Sequence, residues 1–458
     1  MKIRSAHPLF ITATLLLVLC TGGRSDAGPE GRTPTDPLPR GSFLGLRQAL
    51  EMALQKHPIL QEASASMKVA MARTEQTRSL YYPQVTVNVD TAAGTGRINP
   101  RFLIGGGLLQ PNLSAYSAGV IANQRFYDFG FTRNLVESSQ LAERAQEQDT
   151  QARKALVVLN VERSYFNSLK RRRLVEIAEQ TVRERGVIKS QIEALYRQQL
   201  KSKLDLDLVQ VELTNAESLL VKARNDLKAG FAELNRVMGV AGADDYVLEN
   251  LSVEVRPQRT LETLVTESLA HPELRRAREL TASAEARVRA MKRQFLPTIS
   301  ALASAGDYET FDNTRNLPTG GWWTAGAFVS MPLFTGFLIE NQVREAAAQQ
   351  SAAEAGTLNI EQALTQQVTT SYLETITLAE QIKLAQEQVK TAQEALQLAR
   401  QRYKLGLGSV VEVTQSEVAL TMAQTRLADT QYDYKIAEVT LAYATGLTGI
   451  SSRNGYSP

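Results

Sequence analysis

The 458-residue chain carries 51 Lys+Arg against 48 Asp+Glu, a formal charge of +3, which excludes a nucleic-acid binder held by bulk charge. Three histidines and one cysteine exclude a disulfide framework and leave no basis for a dedicated zinc or Cys/His catalytic centre. With 43% hydrophobic but only 6% aromatic residues, extensive burial is expected without the composition of a large β-rich enzyme.

Lys2 and Arg4 precede an apolar run from Leu9 to Cys20, and Ser25-Asp26-Ala27 forms a small-x-small cleavage site. Residues 1–27 therefore read as a secretory signal, the apolar run being too short to span a bilayer. Lipidation at Cys20 would want a small residue just before it, and Leu19 is bulky. Residues 28–42, with four prolines, read as a flexible lead-in. No later stretch holds 18 consecutive apolar residues, so no membrane helix is expected.

The remainder is a tandem duplication. Leu50, His57-Pro58, Leu60, Ala63, Arg73 and Pro83 stand 214 positions before Leu264, His271-Pro272, Leu274, Ala277, Arg287 and Pro297. Asn134, Tyr165, Tyr196, Leu200, Ser202, Leu220 and Gly239 stand 207 before Asn341, Tyr372, Tyr403, Leu407, Ser409, Leu427 and Gly446. The only change of length, seven residues, falls between Pro83 and Asn134, where an exposed loop is expected. The repeats span residues 43–250 and 257–447, and 448–458 form a C-terminal tail.

Each repeat reads as three parts. The first is helical, Leu44–Leu80 and Leu261–Phe295, broken at its His-Pro pair because proline disfavours helical geometry in the residue before it. His57 and His271 are thus expected to be structural, not catalytic. The second part alternates with period two. Val85, Val87 and Val89 alternate with Gln84, Thr86, Asn88 and Asp90, and Trp323–Leu333 places Trp323, Ala325, Ala327, Val329, Met331 and Leu333 on one face. Ala115–Phe126 and Thr298–Gly306 alternate more weakly. Four strands of nine to twelve residues suit tilted membrane strands. The connections Ala92–Ser114 and Asp307–Trp322 read as loops, expected to face outside the cell.

The third part is a pair of long helices. Phe131–Tyr196 and Leu338–Tyr403 would each extend roughly 100 Å. The return helices place Leu213, Ala216, Leu220, Ala223, Leu227, Gly230, Leu234 and Val237, and their counterparts from Leu420 to Ala444, at alternating steps of three and four. Sustained spacing of this kind is a coiled-coil seam.

Four strands cannot close a barrel by themselves, and an open sheet edge in lipid leaves backbone groups unpaired. Copies of the chain must pool strands, eight from two copies or twelve from three. A rival reading is a secreted periplasmic coiled-coil scaffold without a pore, which the membrane-strand pattern disfavours. No Ser/His/Asp arrangement, phosphate loop or Met/His cluster is present, so a non-enzyme without cofactor or metal is expected.

The His57-Pro58 and His271-Pro272 breaks, Tyr82-Pro83 and Leu296-Pro297 before strands, Phe126-Tyr127-Asp128 and Leu333-Phe334-Thr335-Gly336 after strands, and Tyr403-Lys404-Leu405-Gly406 with Ser409 resemble the TolC-like outer-membrane efflux proteins. The resemblance covers residues 43–447. It implies a mostly α fold with a membrane β-barrel: a homotrimeric, twelve-stranded barrel continued by a long α-helical barrel across the periplasm of a Gram-negative bacterium. It also implies a periplasmic adaptor and an inner-membrane transporter as partners, in efflux or type I secretion. Histidine replaces the family's usual Asn at the breaks, and the first turn, Tyr196–Leu200, lacks its usual Gly.

The aromatics Tyr81, Tyr82, Phe126, Tyr127 and Phe334 at the helix-side ends, with Trp322 and Trp323 at the loop-side ends, are expected to flank outer-membrane lipid as two girdles. The turns at Leu200 and Ser202 and at Gly406, Leu407 and Ser409 are the tips that meet the adaptor in the family. Gly406 and Gly408 suit a turn needing positive φ. The resemblance further implies a pore constriction at Glu412 and Gln415, where a family member carries Asp at both, with Asp205 as the first-repeat equivalent of Glu412 and Tyr403 as a tyrosine that holds the end closed. Gly408 stands where that member has arginine. Glu412 and Asp205 equally suit first-turn helix acids.

Overall fold

In the computed structural model, residues 41–94, 113–241, 245–249, 253–255, 259–312 and 320–447 are described, with backbone alone at 92–94, 113–115 and 310–312. The expected signal, most of the lead-in, the C-terminal tail and residues 95–112 and 313–319 of the two strand-connecting loops lie outside these residues. Among the described residues no helix is long and apolar enough to cross a membrane.

The element order is duplicated. The first repeat holds α1 (Leu46–Lys56), α2 (Pro58–Arg78), β2 (Gln84–Gly94), β3 (Leu113–Tyr127), α3 (Phe131–Arg197) and α4 (Lys203–Met238). The second holds α5 (Leu261–Ser268), α6 (Pro272–Arg293), β5 (Thr298–Asp312), β6 (Gly320–Ser330), α7 (Leu338–Lys404) and α8 (Val410–Ala444). Two three-residue strands, β1 (Ser42–Leu44) and β4 (Tyr246–Leu248), pair in parallel outside this pattern. Segments so short leave no periodicity, and no strand is expected there from sequence; β1 also takes up the last residue of the lead-in.

α3 and α7 are 67 residues each, the long helices expected. The helices form a layer in which α3 packs on α2 and α4 along one flank and on α6 and α8 along the other, while α7 packs on α6 and α8. Every seam position of α4 from Leu213 to Val237 is buried or half-buried, as is every counterpart in α8. A core gathers where α1 and the β1–β4 pair lie on α3 and α4, around Leu44, Leu50, Val161, Tyr165, Phe231, Leu234 and Tyr246. The Tyr165 hydroxyl donates to the Leu44 carbonyl at 2.9 Å and accepts from the Glu249 N–H at 3.0 Å. Burial pushes this phenol up to about 12.

All four long strands differ from their expected ends, β3 least, starting at Leu113 and ending at Tyr127. β6 starts at Gly320 and stops at Ser330, so Met331 and Leu333 lie beyond it. Pro332 lacks the N–H that a ladder needs, and the side-chain-free Gly320-Gly321 pair leaves no alternation to read at the start. β5 runs on to Asp312 and β2 to Gly94, into segments expected as loops. Trp322 therefore lies within a strand.

Candidate functional site

The four long strands form one antiparallel sheet in the order β2-β3-β5-β6. Cross-strand partners share a face, so the register decides what each face carries. One row joins Val87, Val120, Ala305 and Trp323, and the next joins Val85, Ala122, Ala303 and Ala325. Asp307 bounds this apolar band on one side and Gln124 on the other. The opposite face carries rows such as Thr86, Ile121, Ser304 and Thr324. Trp323 is 79% exposed and Val87 72% exposed, an apolar surface that water does not favour. β2 and β6 are both unpaired edges.

The expected aromatics divide. Tyr81, Tyr82, Phe126, Tyr127 and Phe334 are exposed near the helix-side ends of the strands. Trp322 and Trp323, being consecutive in a strand, point to opposite faces. Only Trp323 extends the apolar band, whereas Trp322 lies over Gly119 and Gly306 on the other face.

At the far end of the long helices the two turns sit side by side. Lys201 of the first tip lies over the Tyr403 ring of the second, 4.6 Å from Nζ to the ring centroid. Ile192, Val209 and Val410 pack beneath them. The turns share one backbone solution: Gly406 has φ 73°, and its equivalent Gln199 has φ 60°. The first turn, lacking glycine, forces glutamine into the left-handed region. Gly408 is not left-handed, contrary to expectation; its lack of a side chain instead admits the Glu412 carboxylate, whose Oε2 lies 3.1 Å from where a Cβ would stand.

Ser202 and Ser409 are the N-caps of α4 and α8. Asp205 closes a capping box: its N–H donates to Ser202 Oγ at 3.1 Å, and its carboxylate accepts from the Ser202 N–H at 3.2 Å. The Glu412 N–H donates to Ser409 Oγ at 3.3 Å, and its carboxylate lies 3.6 Å from Arg402 Nε. Both acids thus have local helix-terminus partners. Gln415 is exposed, as are Leu200 and Leu407. The Tyr403 hydroxyl is buried and meets no hydrogen-bond partner among the described residues.

Sequence reasoning missed the polar cluster behind the tips. Arg400 on α7 donates to Glu184 on α3 at 3.0 Å and to Glu417 on α8 at 2.9 Å. Arg185 pairs with Glu212 of α4 at 2.9 Å. Burial pushes the Glu417 carboxyl up, outweighing Arg400, whereas at the more exposed Arg400 burial acts against the charge and the two carboxylates together outweigh it. These residues are far apart in sequence and match no motif.

His57 and His271 are N-caps. Each Nδ1 accepts the N–H two residues on, from Ile59 at 3.2 Å and from Glu273 at 3.3 Å. No cluster of His, Cys, Asp and Glu suited to a metal occurs among the described residues.

The chain thus joins an apolar-faced open sheet to a long helical layer. The family described as Outer membrane efflux protein matches residues 49–240 and 265–447. The chain belongs to this family. It is 21% identical over 409 residues to outer membrane efflux protein BepC of Brucella suis, covering 88% of this chain and 85% of that one. It is 23% identical over 423 residues to outer membrane protein TolC of Escherichia coli, covering 88% and 82%. Among solved structures, CusC superposes with a TM-score of 0.77 at 20% identity, covering 90% of this chain and 97% of that one. VceC of Vibrio cholerae superposes with a TM-score of 0.74 at 19% identity, covering 88% and 96%. This outer membrane efflux protein is a channel of the Gram-negative outer membrane whose helical body extends into the periplasm.

Proposed function

We propose that three copies of the chain close one barrel and serve as the exit duct of a tripartite efflux or type I secretion system. The observation that carries this reading is the sheet, with one apolar face and two unpaired edges, β2 and β6. In hydrocarbon those edges must pair, and four strands are too few to pair with themselves. The helical layer supports the same closure. Its outer members, α4 and α7, expose Leu204, Leu219, Val221, Leu384 and Leu398, apolar side chains that a neighbouring copy would cover. A coiled-coil scaffold without a pore would have no use for the apolar sheet face.

In this reading Tyr81, Tyr82, Phe126, Tyr127, Trp323 and Phe334 border the lipid. The tips at Leu200, Ser202, Gly406, Leu407 and Ser409 meet the periplasmic adaptor that an inner-membrane transporter holds. Glu412, Gln415, Asp205 and Tyr403 constrict the periplasmic end, where threefold symmetry turns each carboxylate into a ring that draws cations. The apolar Leu200 and Leu407 at the tips, both exposed, are what a docking partner would bury. Mass measurement in mild detergent, paired with planar-bilayer recording, tests the assembly. Trimers that conduct are expected, and a monomer that conducts ions would end this reading.

A further inference from the structure

On the outer flank of the helical body, where it joins the sheet, α2 and α3 enclose a cleft of about 490 Å³ lined by Arg78, Tyr81, Tyr82, Arg133 and Glu137, among others. Arg133 is exposed and makes no hydrogen bond or ion pair among the described residues. Among the described residues Arg78 pairs only with Glu75, one turn away on the exposed surface. The one carboxylate in the cleft, Glu137, is taken by Arg289 of α6 at 2.9 Å. The cleft thus holds one guanidinium without a partner among the described residues, a second whose carboxylate partner is exposed, and two tyrosines, 49% and 67% exposed.

Its place follows from helix geometry. Arg133, Gln140, Val158 and Tyr165 are separated by 7, 18 and 7 residues, close to whole numbers of turns, and share a stripe of α3. Val158 and Tyr165 belong to the core that α3 shares with α1 and β1, and the Tyr165 hydroxyl donates to the Leu44 carbonyl of β1. In the closed assembly proposed above, on which this placement rests, a layer on the inner side would fill the tube, so the stripe faces outward. Tyr82 lies two residues before β2, whose Val85 opens the apolar band. The cleft therefore sits at the headgroup level of the periplasmic leaflet.

We propose that this cleft binds the phosphodiester of an anionic glycerophospholipid. The guanidinium forks match phosphate oxygens, tyrosine hydroxyls supply further donors, and both residue types favour the interface. The duplication provides an internal control. The equivalent positions of the second repeat are Lys292, Phe295, Leu296 and Glu340, which remove both hydroxyls and place a carboxylate where Arg133 stands. An aromatic belt alone would not distinguish the two repeats; a phosphate site does.

Native mass spectrometry of the purified full-length protein tests this, with phosphatidylglycerol, phosphatidylcholine and inorganic phosphate as probes. Retention of phosphatidylglycerol is expected to fall about tenfold in Arg133→Glu, the loss of a charge-assisted contact. Arg133→Lys should keep most of it, and Glu340→Gln should leave it unchanged. Heat-modifiable oligomers are the check on assembly; should Arg133→Glu fail it, the Arg78→Ala/Arg133→Ala pair carries the same expectation. Equal retention by wild type and an assembled charge-removing variant would overturn the site. So would equal binding of phosphatidylcholine, or full competition by inorganic phosphate at equal concentration.

Discussion

Gly239, which ends α4, lies directly against His57, which starts α2: a Cβ on the glycine would come within 2.9 Å of the histidine Cα. Gly239 has φ 70° and its N–H donates to the Arg236 carbonyl, closing the helix in a left-handed cap. Gly446 meets His271 in the same way in the second repeat, with more room, 3.6 Å. The duplicated His-Pro breaks and helix-end glycines are thus two halves of one joint.

Gly239→Ala combines a strained φ with this close approach. We expect a loss of about 1–3 kcal/mol, against a smaller loss for Gly446→Ala, where a similar φ meets only ordinary van der Waals contact. Denaturant unfolding of the two variants checks the order; equal losses would mean that only the backbone strain matters.

The histidine caps make folding acid-sensitive. Burial, with Arg236 at His57, holds both imidazoles below their ordinary 6.5. The unfolded chain therefore takes up protons first, and protonation also removes the Nδ1 acceptor. Stability should be full above about pH 6.5 and fall as the pH drops through the lowered values. Asparagine keeps the cap without titrating, so His57→Asn/His271→Asn should flatten thermal stability between about pH 5 and 7. His57→Ala should cost about 0.5–2 kcal/mol above about pH 6.5, where the imidazole is neutral, and less in acid. An unchanged acid slope in the double variant would count against the caps.

Glu417 carries the opposite sign. Its carboxyl is pushed above the ordinary 4.5 by burial, so the folded state holds its proton more tightly than the unfolded chain. The stability it contributes is present below 4.5 and is lost as pH rises through the raised value. Glu417→Gln should remove this slope. Arg400→Ala should instead leave Glu417 buried without its partner, costing about 1–3 kcal/mol and loosening the tips. Melting curves from about pH 4 to 7 and protease cleavage near residues 199 and 406 read the two effects.

At the turns, Gln199→Gly should stabilise by about 1 kcal/mol because glycine adopts the left-handed backbone without a Cβ penalty. A bulky residue at Gly406 or Leu407 should abolish export while leaving oligomers in the membrane. Normal export from those variants would reject a docking role for the tips.

Glu412→Lys should lower cation selectivity in a planar bilayer, and Tyr403→Phe should raise conductance with little change in oligomer stability. If Glu412→Lys leaves selectivity untouched and lowers the melting temperature, the carboxylate serves the helix terminus and its Arg402 pair, as Asp205 serves its capping box.

Local periodicity determined much of this protein before any coordinates. The 207-residue register, the ends of α3 and α7 to within a residue, the small-residue seams of α4 and α8 and the valine alternation of β2 all follow from spacing along one segment. Such patterns are legible because a helix or strand repeats its environment every few residues. Tertiary structure decided what depends on meetings between distant segments. Sheet register set Val87, Val120, Ala305 and Trp323 in one row and turned Trp322 away. Packing joined Arg400 to a glutamate 216 positions earlier, and Gly239 to His57. The left-handed Gln199 was equally hidden, since its turn is set by where two helices must reverse and not by a residue that favours that backbone. Charge pairing and close approach depend on distance in space, and no local spacing records which distant residues will share it.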